Sequence, residues 1–262
     1  MMKAALAWQL ALVLTCCLLA ACRTDYVEIS EPFPIVVTPG PPGPTPRPSP
    51  VPVPVPTPIP TPEPDPTPGP PVNAEYFEQL RREYNNDDIV GYLKIEGTSI
   101  DYLVVQAEDN EFYLDRNIHK ERCNAGWVFL DYENDTSRDD LHTIIYAHNM
   151  REDIMFHSIR YYTSKDFFEN HRFIIFNTDY ADQTWEIFSF HQTFYGPDFN
   201  FIQMYFPTHD HFVRLLMQMK SRSMYDTGVD VSPSDRVLTL VTCVGAEITA
   251  ERYVVHARLL DR

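Results

Sequence analysis

Three side chains far apart in the chain could do chemistry together: Cys243, Arg252 and His148. Cys243 closes the run Arg236-Val237-Leu238-Thr239-Leu240-Val241-Thr242-Cys243, and Arg252 opens Arg252-Tyr253-Val254-Val255-His256-Ala257-Arg258-Leu259. Both runs are rich in β-branched and apolar residues and read as strands. Between them, Val244 to Glu251 is long enough to turn the chain back. An antiparallel pair then sets a thiol beside a guanidinium, whose charge favours the reactive thiolate. A group that moves protons is also needed. The segment Thr143-Ile144-Ile145-Tyr146-Ala147-His148-Asn149-Met150 offers one, because its apolar run stops abruptly at His-Asn.

Each of these residues has a plainer reading when taken alone. A free cysteine is most often a small buried core residue. Arg252 could be an ordinary surface strand residue, and nine histidines make any single one weak testimony. His256 lies inside the last strand and reads as structural. His209-x-His211 resembles a metal pair, but positions two apart at a helix start do not face the same way, and no third ligand is evident. Asp131-x-Glu133-x-Asp135 resembles the opening of a calcium loop. The sixth and twelfth positions, which need Gly and Glu, are Thr136 and His142, so it reads as a solvated acidic turn. Neither a metal nor a cofactor is expected.

The elements that must position the three residues occupy only part of the chain. Of 23 prolines, 20 fall between Pro32 and Pro71. That stretch cannot build a core, which leaves one domain from Asn73 to Arg262, enough for a sizeable core. This domain carries 18 basic against 32 acidic side chains. So acidic a surface repels phosphate backbones and argues against nucleic acid as a partner. Asn73 can cap a first helix, with Tyr76, Phe77, Leu80 and Tyr84 at helical spacing. Strands are predicted near Val90–Ile95, Ser99–Gln106, Gly126–Leu130, His142–Ala147, Arg172–Asn177 and Gln183–Thr193. A helical patch is predicted over Asp153–Ile159 and Ser164–Phe168. A further helix, capped by Thr208, carries Phe212, Leu215, Leu216 and Met219. Strands dominate with few βαβ units, so the layout suggests a closed barrel with added helices.

Ahead of the domain, Met1-Met2-Lys3 is a short positive region followed by an apolar stretch from Ala4 to Leu19. It suits a secretory signal better than a spanning helix. Leu19-Ala20-Ala21-Cys22 resembles a bacterial lipobox, in which cleavage leaves a lipid-modified cysteine; an uncleaved signal anchor is the alternative. Residues 1–22 are therefore read as a signal peptide and 23–72 as a polyproline II spacer. At about 3.1 Å per residue, forty such residues reach roughly 120 Å. The domain is expected outside the cytoplasm, held at the membrane. A disulfide between Cys123 and Cys243, the domain's two cysteines, is not expected, because Cys243 is wanted as a free thiol.

The motifs T-L-x-T-C, an Arg opening R-Y-V-V-H-A-R-L, and I-I-Y-x-H-N-M resemble the class B sortases. Asp88–Ile95, Ile100–Gln106, Asp109–Leu114 and Gly126–Tyr132 continue the resemblance, which covers roughly Ala74 to the C-terminus. It implies a mainly β fold, a closed eight-stranded barrel with an N-terminal helix and peripheral helices. It implies a cysteine transpeptidase in which Cys243 attacks the carbonyl after a Thr in a C-terminal sorting signal, forming a thioester. His148 would protonate the leaving amine, and Arg252 would hold the developing oxyanion. Asn110, Leu114, Val241 and Thr242 would line the substrate groove. The implied partners are surface proteins bearing the signal and an amine of peptidoglycan or of a pilin. Three positions depart from the family's habit: Ala147 before the histidine, Val241 two before the cysteine, and Val244-Gly245 after it. An L,D-transpeptidase or papain-like enzyme fits poorly, since Thr242 adjoins the cysteine and His148 precedes it. A non-catalytic binding lipoprotein on the same scaffold is disfavoured by the intact trio.

Overall fold

A computed structural model describes residues 71–196, 199–244 and 250–261. The signal-like leader, Cys22 and nearly all of the proline-rich spacer lie outside the described residues. Helix α1 (Ala74–Tyr84) leads into β1 (Ile89–Lys94), β2 (Asp101–Val105), β3 (Phe129–Leu130) and β4 (His142–Tyr146). A 3-10 helix (His157–Thr163) and α2 (Lys165–Asn170) follow, then β5 (Phe173–Thr178) and β6 (Asp182–Phe194). Helix α3 (His209–Ser221) precedes β7 (Val237–Cys243) and β8 (Glu251–Asp261).

The strands close into one barrel in the order β1-β2-β3-β4-β7-β8-β6-β5. The pairs β2–β3 and β4–β7 are parallel, and the others antiparallel. Alternation divides each central strand between two cores. Leu238 and Leu240 of β7, Ile145 of β4 and Val255 of β8 pack with Leu93, Val104 and Trp185 in the main core. Val237 and Val241, with Ile144 and Val254, pack on the opposite face beneath α3. That helix contributes Phe212, Leu215, Leu216 and Met219, an i, i+3, i+4, i+7 stripe that forms one apolar face. Burial on both faces is why β7 reads as a continuous apolar run rather than an alternating one.

Several local expectations give way to tertiary contacts. The Asn73 side chain makes no cap bond; its amide donates to the Thr178 carbonyl and to Asp182, tying the helix start to the β5–β6 turn. Tyr76 is exposed, while Phe77 and Tyr84 are buried. The third strand begins only at Phe129, because Gly126 sits at φ 59° and packs its backbone on the Tyr113 and Leu114 carbonyls. Asp153 and Met155 both have left-handed backbone, so the stretch after His148 opens as a loop rather than a helix. Thr208 precedes α3 in extended conformation, but its hydroxyl meets His211 Nδ1 at 2.7 Å instead of capping a main-chain amide.

Candidate active site

Cys243 and Arg252 form the last register pair of β7 and β8. Directly opposed residues share one face of a sheet, with Cβ atoms about 5 Å apart. By alternation that is the outer face, the one bearing Val241 and Val254. Strand β4 runs parallel to β7 on its other side, with Tyr146 opposite Val241. His148 and Cys243 each lie two residues past that pair, on neighbouring chains. Three adjacent strands thus bring the three predicted side chains to one end of the barrel. All three are partly exposed, and Cys243 is a free thiol.

Secondary contacts orient this group. His148 Nε2 lies 2.7 Å from the Leu114 carbonyl. A carbonyl only accepts, so Nε2 carries the hydrogen and Nδ1 is the position that can gain or lose a proton. Leu114 ends a 3-10 turn (Phe112–Leu114) whose start is held by Asp109, which accepts the N–H groups of Glu111 and Phe112 at 2.9 and 2.8 Å. Those two bonds keep the Asp109 carboxyl below its usual range. Asn110 anchors the same turn: its amide donates to Asp131 at 2.9 Å, and its oxygen accepts the Tyr132 N–H at 3.1 Å.

Asp131 is not part of a solvated acidic turn. It is 3% exposed, and its carboxylate takes hydrogen bonds from Asn110, from the Tyr146 hydroxyl at 2.8 Å and from the Glu133 amide at 3.0 Å. Burial, then the charge of Asp131, pushes the Tyr146 phenol above its usual range, so it remains a donor. The carboxylate therefore links β4 to the turn that supplies the Leu114 carbonyl.

Arg252 donates from Nη1 to the Glu251 carbonyl at 3.0 Å. Asn149, next to His148, reaches across to β7: its amide nitrogen is 2.9 Å from the Cys243 carbonyl and 3.4 Å from that of Val244. The residues predicted to line a groove fare differently. Leu114 is 41% exposed, and the Asn110 side chain is committed to Asp131 and Tyr132. Val241 and Thr242 are 5% and 2% exposed, Val241 on the face beneath α3 and Thr242, by alternation, on the other. Sequence reasoning missed the Leu114 carbonyl, since main-chain groups leave no side-chain signal. It misread Asp131 and gave Asn149 no role beyond its place in a motif.

Farther from that end, the same strands and β6 hold a second, buried set of imidazoles. His142 Nδ1 donates to the Gln203 carbonyl at 2.9 Å, so its Nε2 accepts from the Thr239 hydroxyl at 2.7 Å. The Thr239 oxygen in turn accepts from His256 Nδ1 at 2.8 Å. His191 packs on His256 with ring centroids 5.1 Å apart, and neither of its nitrogens has a partner among the described residues. Burial pushes His142 and His191 down to about 4, and His256 well below its usual value. This chain of neutral rings is core, as read for His256.

Comparison with known proteins agrees with this geometry. The sortase domain family matches residues 93–260. Sortase B of Listeria monocytogenes is 36% identical over 193 residues, which cover 73% of this chain and 78% of that protein. The Staphylococcus aureus sortase B–substrate complex superposes with a TM-score of 0.67 at 31% identity, covering 72% of this chain and 86% of the other. A mutant form of Clostridium perfringens sortase B gives 0.66 at 34%, covering 72% and 88%. With its eight-stranded barrel closed and a free thiol at the end of β7, the chain belongs to the sortase family, as a class B sortase, a cysteine transpeptidase.

Proposed function

We propose that Cys243 is the nucleophile that attacks the carbonyl after a Thr in a C-terminal sorting signal, forming a thioester acyl-enzyme. The observation that carries this reading is the rung between Cys243 and Arg252, with His148 level with it across β4 and β7. Arg252 offers permanent charge and fixed donors to the developing oxyanion. His148, hydrogen-bonded through Nε2 to Leu114, protonates the leaving amine from Nδ1 and later takes a proton from the incoming one. A primary amine of peptidoglycan or of a pilin resolves the thioester and joins the surface protein to it. The exposed Leu114 contributes to the substrate groove, with Asn110 holding its turn.

The N-terminal sequence supports a tether. Cys22 follows a lipobox-like Leu19-Ala20-Ala21, and the proline-rich stretch is a stiff spacer between a membrane and the domain. Metabolic labelling with a palmitate analogue should mark the wild-type chain and miss Cys22→Ala.

A thiol-reactive vinyl sulfone should modify Cys243, and an internally quenched Thr-containing pentapeptide should be cleaved. Cys243→Ala should abolish both at an unchanged circular dichroism spectrum. Turnover by that variant above background would remove the cysteine from the chemistry. A pentapeptide screen with an amine acceptor series would identify signal and acceptor.

A further inference from the structure

The parallel ladder between β4 and β7 ends in an unusual way. Its last main-chain rung at this edge runs from Ala147 N to the Val241 carbonyl at 3.3 Å. In a parallel pair the donors advance two residues at a time on each strand, so the next rung donated from the β4 side would run from Asn149 N to the Cys243 carbonyl. The Asn149 side chain fills that place: Nδ2 donates to the Cys243 carbonyl at 2.9 Å and approaches the Val244 carbonyl at 3.4 Å. Both acceptors are carbonyls, so the orientation of the amide is chemically determined. A side chain is longer than a main-chain N–H. The β4 backbone can therefore leave the sheet at His148 while the nucleophile's own carbonyl stays tied to it.

The chain beyond Asn149 is built to hold that departure. Asn149 bridges Met155, and the Phe156 amide returns to the His148 carbonyl at 3.0 Å. Met155 keeps a left-handed φ of 56°, with its amide bound to the buried Tyr102 hydroxyl at 2.8 Å and its side chain in the core. Such a conformation in a non-glycine residue costs on the order of 1 kcal/mol and persists where the surroundings over-determine it. The loop thus presents the Asn149 amide from a fixed base.

We infer that Asn149 is a positioning residue, a side-chain rung that sets the spacing and angle between Cys243 and His148. The inference rests on the proposed roles of those two residues. Attack by the thiolate on a small alkylating reagent needs no proton donor, whereas expulsion of the amine needs the imidazolium in register. Asn149→Ala should therefore lower kcat for the internally quenched Thr-containing peptide by roughly ten- to a hundredfold, the effect of an ångström-scale misplacement. KM and the rate of iodoacetamide alkylation at Cys243, followed by peptide mass spectrometry, should each change less than about threefold. Asn149→Asp is nearly isosteric but, when ionised, cannot donate. Its kcat deficit relative to wild type should shrink as pH falls through the carboxyl titration and a donor returns.

Wild-type kcat in both variants would overturn the inference. So would a parallel fall in alkylation and transfer, which marks mere structural damage; if Asn149→Ala does not fold, the pH response of Asn149→Asp decides alone. Cys243→Ala, run alongside, separates the two levels: activity in that variant overturns the nucleophile itself, whereas an inert Cys243→Ala beside a fully active Asn149→Ala overturns only the rung.

Discussion

Strands β4, β7 and β8 carry imidazoles or their partners at one end and again farther along, and the two regions behave as different materials. At one, His148, Cys243 and Arg252 are partly exposed on three neighbouring strand ends. At the other, His142, Thr239 and His256 are hydrogen-bonded to one another on the face that α3 covers, with His191 packed against them. The same residue type meets opposite conditions. A histidine that must gain and lose a proton needs access to water and a partner that leaves one nitrogen available, as Leu114 does for His148. A histidine buried against an aromatic ring, as His191 is on Phe199 and His256 on Phe188, is denied its charged form by desolvation and serves as a shaped filler. Position relative to the covering helix separates the partly exposed His148 from the buried rings.

The contrast can be broken by exchanging what is lost in each region. His148→Ala should lower transfer by about 10²- to 10⁴-fold with little change in melting temperature. His142→Ala should do the reverse, since it orphans the Gln203 carbonyl and the Thr239 hydroxyl and leaves a cavity. A loss on the order of 3 kcal/mol is expected in denaturant titration, with kcat per folded molecule retained. Equal effects on stability in both regions would erase the distinction. Arg252→Lys keeps the charge but loses the planar donor fork, and should cost about 10²-fold in kcat; full activity would mean that charge alone suffices.

Acid should act on the buried region. The folded-state values of His142 and His191 lie near 4, below the 6.5 of an unfolded chain, so the unfolded state binds more protons as pH falls. Their contribution to stability is whole above about pH 6.5 and is lost progressively down to about pH 4, on the order of 3 kcal/mol for each ring. Denaturation midpoints measured across that window should fall steeply; a flat profile would mean that water reaches the layer. The smallest effect sharpens the point. His191 offers aromatic neighbours two nitrogens without a partner among the described residues, so His191→Phe should raise the melting temperature modestly, and by more at pH 5 than at pH 7.5.

Much of this was legible in the chain. The strands β4, β7 and β8 were readable because β-branched runs bounded by polar turns allow little else, and the apolar stripe of α3 because 3.6-residue spacing has one helical solution. The candidate trio of Cys243, Arg252 and His148 was picked out through its motifs, and the barrel brings the three to neighbouring strand ends. The short β3 was overestimated, since Gly126 takes a left-handed turn that an apolar stretch does not announce. Asp131 was misread because an acid-rich segment looks solvated unless its partners are known, and Asn110 and Tyr146 lie 21 and 15 residues away in sequence. The cap at Asn73 failed where a tertiary partner outbid the local amide, and the cap at Thr208 failed because the His211 side chain, three residues on, takes its hydroxyl.

By itself the amino-acid order determined the proline-rich stretch ahead of the domain, the acidic character of the domain, the periodicities of its main elements and which side chains are candidates for chemistry, because these follow from local sterics, charge and spacing. Tertiary structure alone decided that His142 and His191 join His256 in the core, that a main-chain carbonyl orients His148, and that Asn149 stands in for a ladder rung. Such outcomes depend on strand register between segments about 90 residues apart, and register is set by barrel closure, where every rung must be satisfied at once.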